Sequence, residues 1–356
     1  MPEVNLTTFT VADLKSWLLH NQPKKGLSEE VIDPVRAFAI VHSPFAENDM
    51  PVVSALYVGD DLAAYTAVIP ERLQYPQKNT IFWFSTLYCK PQYEGRGYGL
   101  CVVAQLFELL GEDNCFDLEG APETVEILKY LGLKIEYVPQ YVLAQKRTHT
   151  NSVKGRLAAL KNSLELSLKN RGKQLVMEVS QKNYELQYVS FIDDLTYSFI
   201  QNHAKKDVFL RKQEMLNWML KHYLYQPSRL MNRTKKTCQF SSAIEHFEMQ
   251  GVKVYVDGIL VGFYVLCFAP FYMSVKYLYF DEKYENEVFC SVGEHLLRGK
   301  FSTFKTASKP LHDFVEKYHL FSKSFINKKS FAFPESFDYS SGRMMQEGDG
   351  DNLTND

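Results

Sequence analysis

In the first half of the chain, apolar positions shift between runs with strand character and runs with helical spacing. Residues 52–69, VVSALYVGDDLAAYTAVI, form two β-rich runs joined at Gly59-Asp60-Asp61, the pattern of an antiparallel hairpin with a glycine-assisted turn. Residues 80–89, TIFWFSTLYC, are aromatic and β-branched without polar alternation, which predicts a strand covered on both faces. The spacing then changes: Leu100, Val103, Leu106, Phe107 and Leu110 recur as one face of a helix that Gly111 closes. NCFDLEG predicts a short strand. Pro122 opens a second helix, at a position where its missing N–H costs nothing, and Gly132 ends it. KIEYVPQYVLAQ supplies one or two closing strands. Residues 1–147 therefore read as hairpin, strand, helix, strand, helix, strand: a mixed sheet with helices on its faces.

Residues 153–173 place Leu157, Leu160, Leu164 and Leu168 on one stripe of a basic amphipathic helix. A linker helix that packs this stripe against a domain is the expectation; a helix lying on a membrane surface is the competing one. Two or three helices are predicted over 184–226. VKVYVDGILVGFYVLCF is a hairpin with an Asp257-Gly258 turn, among the strongest short hairpin signals. MSVKYLYF reads as a strand, EVFCSVGEHLL as a helix, FSTFKTA as a strand and PLHDFVEKYHLF as a helix beginning at a proline. The second half thus repeats the first in pattern, without sequence identity between them. The fold class expected is α/β (α+β), with two mixed-sheet domains in tandem. The expected boundaries are 1–150, a linker at 151–180, a second domain at 181–335 and an acidic, glycine-rich tail at 336–356. That tail, ending EGDGDNLTND, is expected to be disordered.

The 356 residues suggest two domains, and 46% hydrophobic residues suffice for packed cores. A formal charge of −2 gives no global field to recruit nucleic acid or acidic lipid. Cys89, Cys101, Cys115, Cys238, Cys267 and Cys290 sit in apolar runs without a CxxC pair, as reduced thiols rather than a disulfide frame or zinc site. MPEVNLTTFT has neither the basic start nor the apolar core of a signal peptide, and no run is long enough to span a bilayer. The expectation is a soluble cytoplasmic protein with no nucleic-acid or membrane partner and no metal.

Chemistry concentrates at YEGRGYG, residues 93–99, where a strand-like run gives way to a helix-like one. Glycine there permits positive φ and lets a ligand approach without meeting a Cβ. The first amides of the new helix lack internal partners and carry the positive end of its dipole, so such a junction suits a phosphate or pyrophosphate. A Walker loop is excluded by the missing Gly-Lys-Ser/Thr ending. A dinucleotide fingerprint is excluded by glycines at 95, 97 and 99 and by the preceding antiparallel hairpin.

LYCKPQYEGRGYGLCVVAQL resembles the acetyl-CoA motif of the GNAT superfamily, the acyl-CoA-dependent N-acyltransferases. Leu87, Cys89, Pro91 and Tyr93 occupy its first part, and Gly97 and Gly99 its last. VEILKYLGLK resembles a later helix end of that family, with Leu131, Gly132 and Leu133 in register. The resemblance covers about 100 residues. It implies that the backbones of Leu87 and Cys89 bind the pantetheine arm of acetyl-CoA as an added strand would. It also implies that the segment Glu94, Gly95, Arg96, Gly97, Tyr98, Gly99 and Leu100 surrounds the pyrophosphate.

Departures from the family pattern matter as much. Glu94 stands where Arg or Gln is usual. Leu128 stands where a Tyr general acid is frequent, and Tyr130 is rotated about 200° away on the same helix. Trp83 stands where several members carry a glutamate base. A leaving thiolate with pKa near 8.5 makes a general acid helpful rather than essential, and a carboxylate, a histidine or a water chain can serve as the base. Candidates near the expected cleft are Glu119, Tyr88 and Ser85. In the second half the matching segment FDEKYENEVF carries Asp281, Glu282, Glu285 and Glu287 and no glycine, so it should repel a pyrophosphate. His295, His312 and His319 form no metal-spaced pair. The resulting reading is an acetyltransferase acting on a small-molecule or sugar amine. The alternatives are a Fem-type aminoacyl transferase, disfavoured by the intact loop, and a CoA-binding or scaffold module without turnover.

Overall fold

The structure, a computed structural model, describes residues 3–20, 22–75, 80–145, 173–221, 248–269, 271–299, 301–340 and 342–350. Most of the leucine-striped stretch expected as a linker helix lies outside them.

Strand β1 (Val4–Thr10) leads through α1 (Val11–His20) and α2 (Pro34–Val41) to β2 (Pro51–Val58), β3 (Asp61–Tyr75) and β4 (Thr80–Cys89). Then follow α3 (Tyr98–Leu110), β5 (Cys115–Leu118), α4 (Pro122–Tyr130) and β6 (Lys134–Ala144). The predicted hairpin, strand, helix, strand, helix and closing strand are all present. β1, α1 and α2 were not expected. β1 is a threonine-rich strand that pairs antiparallel with β2, from Val4 opposite Val58 to Phe9 opposite Val53. α2 is specified by its first residues: the Asp33 side chain accepts from the Val35 amide at 2.8 Å, and Pro34 occupies the first turn.

The second half continues with α5 (Lys173–Gln181), β7 (Glu185–Val189), α6 (Asp194–His203), β8 (Leu210–Arg211) and α7 (Gln213–Lys221). β9 (Glu248–Val256), β10 (Ile259–Ala269), β11 (Tyr272–Phe280), α8 (Glu285–Arg298), β12 (Thr303–Thr306), α9 (Lys309–Lys317) and β13 (Lys323–Phe333) complete it. One expected feature is corrected. The start of the region read as helical, 184–226, is the strand β7. Its residues pair with β9; Leu186 and Val189 are half-buried while Glu185, Gln187 and Tyr188 are exposed, as on an edge strand. The Asp257-Gly258 turn is as expected, with φ of 49° and 76°.

The chain divides into two compact units, neither continuous in sequence. Residues 1–138, 206–247 and 329–356 make the first, and residues 139–205 and 248–328 the second. The first unit contains the sheet order β1-β2-β3-β4-β5-β13, and the second β7-β9-β10-β11-β12-β6. Each sheet is thus closed by the strand that ends the other half of the chain. In the first unit, Phe331 and Ala332 of β13 pair antiparallel with Leu118 and Asp117 of β5. In the second, Tyr141 to Ala144 of β6 pair with Thr306 to Thr303 of β12. This exchange displaces the boundaries expected at 150, 181 and 335, because a linear division assumes that each closing strand returns to its own sheet.

The expected disorder of the tail is also corrected for residues 342–350. Met345 packs in an apolar cluster with Leu73, Trp83, Phe116, Phe209, Phe331 and Phe337. Asp349 and Glu347 are buried beside cations. The acidic segment folds here because Met345 completes the apolar cluster and Arg211 and Lys329, each already paired with one carboxylate, each accept a second. The core of the second unit lies around Val252, Tyr264, Met273, Phe289 and Phe304.

Candidate active site

The glycine-rich loop is held from below by one carboxylate. Asp61, at the start of β3, accepts from Lys90 Nζ at 2.6 Å, from Gln92 Nε2 at 2.9 Å and from the Tyr93 hydroxyl at 2.9 Å. Those bonds from Lys90 and Tyr93 hold its pKa below the ordinary carboxylate range. With the turn fixed, Gly95 and Gly97 take φ of 75° and 78°, and Gly97 caps α3 in the left-handed region. A Cβ on either glycine would meet nothing within 4 Å, so the space in front of both is open. The first paired amide of the helix is that of Cys101, bonded to the Gly97 carbonyl at 3.0 Å. Among the described residues, the amides of Gly95, Gly97, Tyr98, Gly99 and Leu100 find no acceptor. An arc of unpaired donors at a helix N-terminus, facing open space, fits a pyrophosphate. Glu94 is exposed and makes no ion pair with Arg96, whose guanidinium lies over the Tyr93 ring at 5.6 Å. Replacing Asp61 with Ala releases the turn, and a roughly tenfold weaker acetyl-CoA affinity in calorimetry is expected. The pair is exposed and contributes little to stability, so the unfolding midpoint should stay close to that of the parent.

Below the loop lies a cleft made by two parallel strands that separate. β4 and β5 pair only at Phe82 with Cys115 and Trp83 with Phe116. Past that point β4 carries a bulge: Phe84 faces Val68 and Thr86 faces Ala67, so Ser85 is the extra residue. The strands part around a cleft lined by Phe84 to Leu87 on one side and by Asp117 to Gly120 on the other, with Leu128 of α4. Phe84 stacks on Phe107 of α3 at 5.8 Å, which anchors the β4 wall. Glu119 takes φ of 68°, an uncommon backbone conformation for a non-glycine residue, at the far wall.

The closed end of the cleft rests on a buried charge network. The Trp83 indole donates to Glu71 Oε2 at 2.6 Å, and Arg211 Nη1 lies 3.0 Å from the same oxygen. Arg211 also donates to the Gly350 carbonyl at 2.9 Å, and its Nε lies 3.8 Å from Asp349 Oδ1. Burial raises the Glu71 pKa against the pull of Arg211 and Trp83, and pushes that of Asp349 up to about 7. A second pair of carboxylates meets Lys329, whose Nζ is 2.6 Å from Glu119 and 3.3 Å from Glu347. Burial alone would lower the Lys329 pKa, but those carboxylates raise it.

Asp349 has a pH consequence. Its folded pKa, about 7, exceeds its ordinary value of 3.8, so between those values the native state holds a proton that the unfolded chain has released. Its contribution is complete below about pH 4 and is lost as pH rises through about 7. Urea unfolding of Asp349→Asn should therefore lose less stability than the parent between about pH 4 and 7, with a difference growing by up to about 1.4 kcal/mol per pH unit and levelling off above pH 7. Parallel pH curves for the two proteins would contradict this.

The sequence-predicted residues divide as follows. Ser85 and Glu119 line the cleft, whereas Tyr88 lies outside its lining and packs on Tyr65 at a ring distance of 5.5 Å. The Ser85 hydroxyl is already bound by Arg36, and Glu119 by Lys329. Leu87 lines the cleft; burial, with Glu94 adding to it, raises the Cys89 thiol pKa. Leu128 is buried in the cleft wall and Tyr130 is 77% exposed, so the tyrosine cannot act there. Sequence reasoning missed Arg36, Glu71, Arg211, Lys329, Glu347 and Asp349. The readable signal was a charge within or directly after an apolar run, as Arg36 in PVRAFAIV, Glu71 in AVIPERL and Arg211 in VFLRK. In the second unit, Asp281 caps the turn 282–284 and α8 begins at once at Glu285, with no positive-φ glycine between. Ser324 lies 3.0 Å from His312 Nε2, and the ring's other nitrogen is 3.1 Å from Asp313. Together with Glu316, His312 and Asp313 are the group of the described residues whose ligand atoms lie within 4.8 Å of one another.

No protein-family model matches the chain, and neither does any curated protein. Solved structures do. A probable N-acyltransferase from Enterococcus faecalis V583 superposes with a TM-score of 0.52 at 12% identity, over 93% of this chain and 72% of that one. A GCN5-related glucosamine N-acetyltransferase region of a fungal multi-domain GH3 β-N-acetylglucosaminidase gives a TM-score of 0.52 at 7% identity. It covers 94% of this chain, which spans 38% of that protein. No helix among the described residues is long and apolar enough to cross a membrane. The order of elements, the parting of β4 and β5 and these superpositions agree: the chain has the fold of the GNAT superfamily of N-acyltransferases.

Proposed function

We propose that this protein is an N-acyltransferase that binds acetyl-CoA in the first unit and acylates the amine of a small molecule. The observation that carries this reading is the pair of parting strands below an arc of unpaired amides at Gly95 to Leu100. Those amides would hold the pyrophosphate, and the free edge of β4 from Ser85 to Leu87 would receive the pantetheine arm. Acetyl-CoA supplies an acyl group activated as a thioester. The chain supplies a walled cleft and the Glu119 carboxylate, held by Lys329, as the candidate acceptor of the ammonium proton, directly or through water. Among the described residues that line the cleft none is a tyrosine, and Leu128 occupies the wall where a tyrosine donor to the leaving thiolate would stand.

Thiol release from acetyl-CoA, measured with a panel of small amines, tests the reading. Turnover above the amine-free rate supports it. Binding of acetyl-CoA in a thermal shift without thiol release would instead support a CoA-binding module, a reading favoured by the apolar Trp83 and Leu128.

A further inference from the structure

The first unit contains a buried cation without a counter-ion. Arg36 of α2 is 5% exposed, and its guanidinium donates to the Ser85 carbonyl at 3.3 Å and to the Ser85 hydroxyl. Among the described residues no carboxylate lies within ion-pair distance of it. Other buried cations differ: Arg211 is 3.0 Å from Glu71, Lys329 2.6 Å from Glu119, and Lys253 2.6 Å from Asp193. Removing a guanidinium from water costs several kcal/mol unless an anion compensates, and a neutral serine does not. Arginine presents five donors in a fixed fork, of which Ser85 engages only one nitrogen.

Its placement connects this deficit to the cleft. Ser85 is the bulged residue of β4 and lines the cleft, so Arg36 stands directly behind the point where the strand turns outward. The neighbouring Thr86 also lines the cleft, is 7% exposed, and has a hydroxyl oxygen without a hydrogen-bond partner. A buried guanidinium without a counter-ion and a buried hydroxyl without a hydrogen-bond partner thus meet at adjacent residues of one strand.

We propose that Arg36 binds an acidic group of the acceptor, so that the acceptor is an amine that also carries a carboxylate or a phosphate. The proposal rests on the N-acyltransferase reading for the amine, but not for the anion. Anionic oxygens approaching Ser85 would pair with the open side of the guanidinium, and the Thr86 hydroxyl would supply a further donor. With its acidic group held at the bulge, the acceptor would be restrained beside the cleft.

Three amines of equal carbon spacing test it: ethanolamine, β-alanine and O-phosphoethanolamine. Their binding to the full chain saturated with CoA is measured by ligand-observed NMR, for the parent protein and for Arg36→Gln and Arg36→Lys. CoA affinity is measured separately by calorimetry. At least one acidic amine is expected to bind tenfold or more tightly than ethanolamine. Preference for β-alanine identifies a carboxylate site, and preference for O-phosphoethanolamine a phosphate site. Arg36→Gln should abolish the preference and leave CoA affinity unchanged; Arg36→Lys, which keeps the charge, should retain part of it and serves if the glutamine variant does not fold. Equal binding of all three amines, or a preference that survives Arg36→Gln, overturns the proposal. Loss of CoA binding in the parent protein would overturn the transferase reading instead, since the amine comparison can be repeated without CoA.

Discussion

A stop codon after Ser340 is expected to destabilise the first unit severely, although it removes only an acidic tail. The truncation exposes the apolar cluster that Met345 completes. It removes the Met344 amide and carbonyl, which bond the Lys206 carbonyl at 2.7 Å and the Val208 amide at 2.9 Å. It also takes Asp349 from Arg211 and Glu347 from Lys329. Breaking a buried ion pair costs about 3–5 kcal/mol, and burying a methionine contributes about 1.5–3 kcal/mol. Arg211 keeps Glu71 and Lys329 keeps Glu119, so the loss falls short of the full sum. At least about 4 kcal/mol is expected, against a typical domain stability of 5–15 kcal/mol. Urea unfolding read from the fluorescence of the three tryptophans, Trp17, Trp83 and Trp218, would show it. An unchanged midpoint would mean that residues 342–350 are not part of the folded unit.

Gly97→Val is expected to abolish acetyl-CoA binding while the chain remains folded. The φ of 78° at Gly97 strains any residue with a Cβ by about 1–3 kcal/mol, and more for a β-branched one. Nothing lies within 4 Å of the added Cβ, so no protein clash compounds that strain. The branched side chain would instead project into the open space that the unpaired amides face. A loss of a hundredfold or more in affinity is expected, with an unfolding midpoint lowered by that strain but a native, cooperative unfolding transition retained. A preserved affinity would sink the assignment of this loop as the pyrophosphate cradle.

These two variants mark what the sequence made legible. The cradle was local: a strand, three glycines and a helix lie within one short stretch, and the backbone conformation they require follows from residue type. The hairpins, the Pro122 helix and the acidic, glycine-free counterpart at 281–287 were legible for the same reason. The charged floor was not. Glu71, Arg211 and Asp349 come from three distant parts of the chain, and no periodicity connects them. Composition marked the tail as disordered because it weighs a segment's own charge and not the cations waiting for it. The strand exchange was equally hidden, since a closing strand carries no mark of which sheet it will join. A fragment ending near Thr150, which the linear reading treats as a CoA-binding domain, lacks β13, β8 and residues 342–350, and is not expected to fold.

Calorimetric titration of acetyl-CoA into the full chain tests the central claim most directly. The first unit has unpaired amides at a glycine loop, and the second has Asp281, Glu282, Glu285 and Glu287 on a turn that runs straight into α8. The account predicts a stoichiometry of one acetyl-CoA per chain, abolished in Gly97→Val. A stoichiometry of two, no binding at millimolar ligand, or one site that survives Gly97→Val would contradict it.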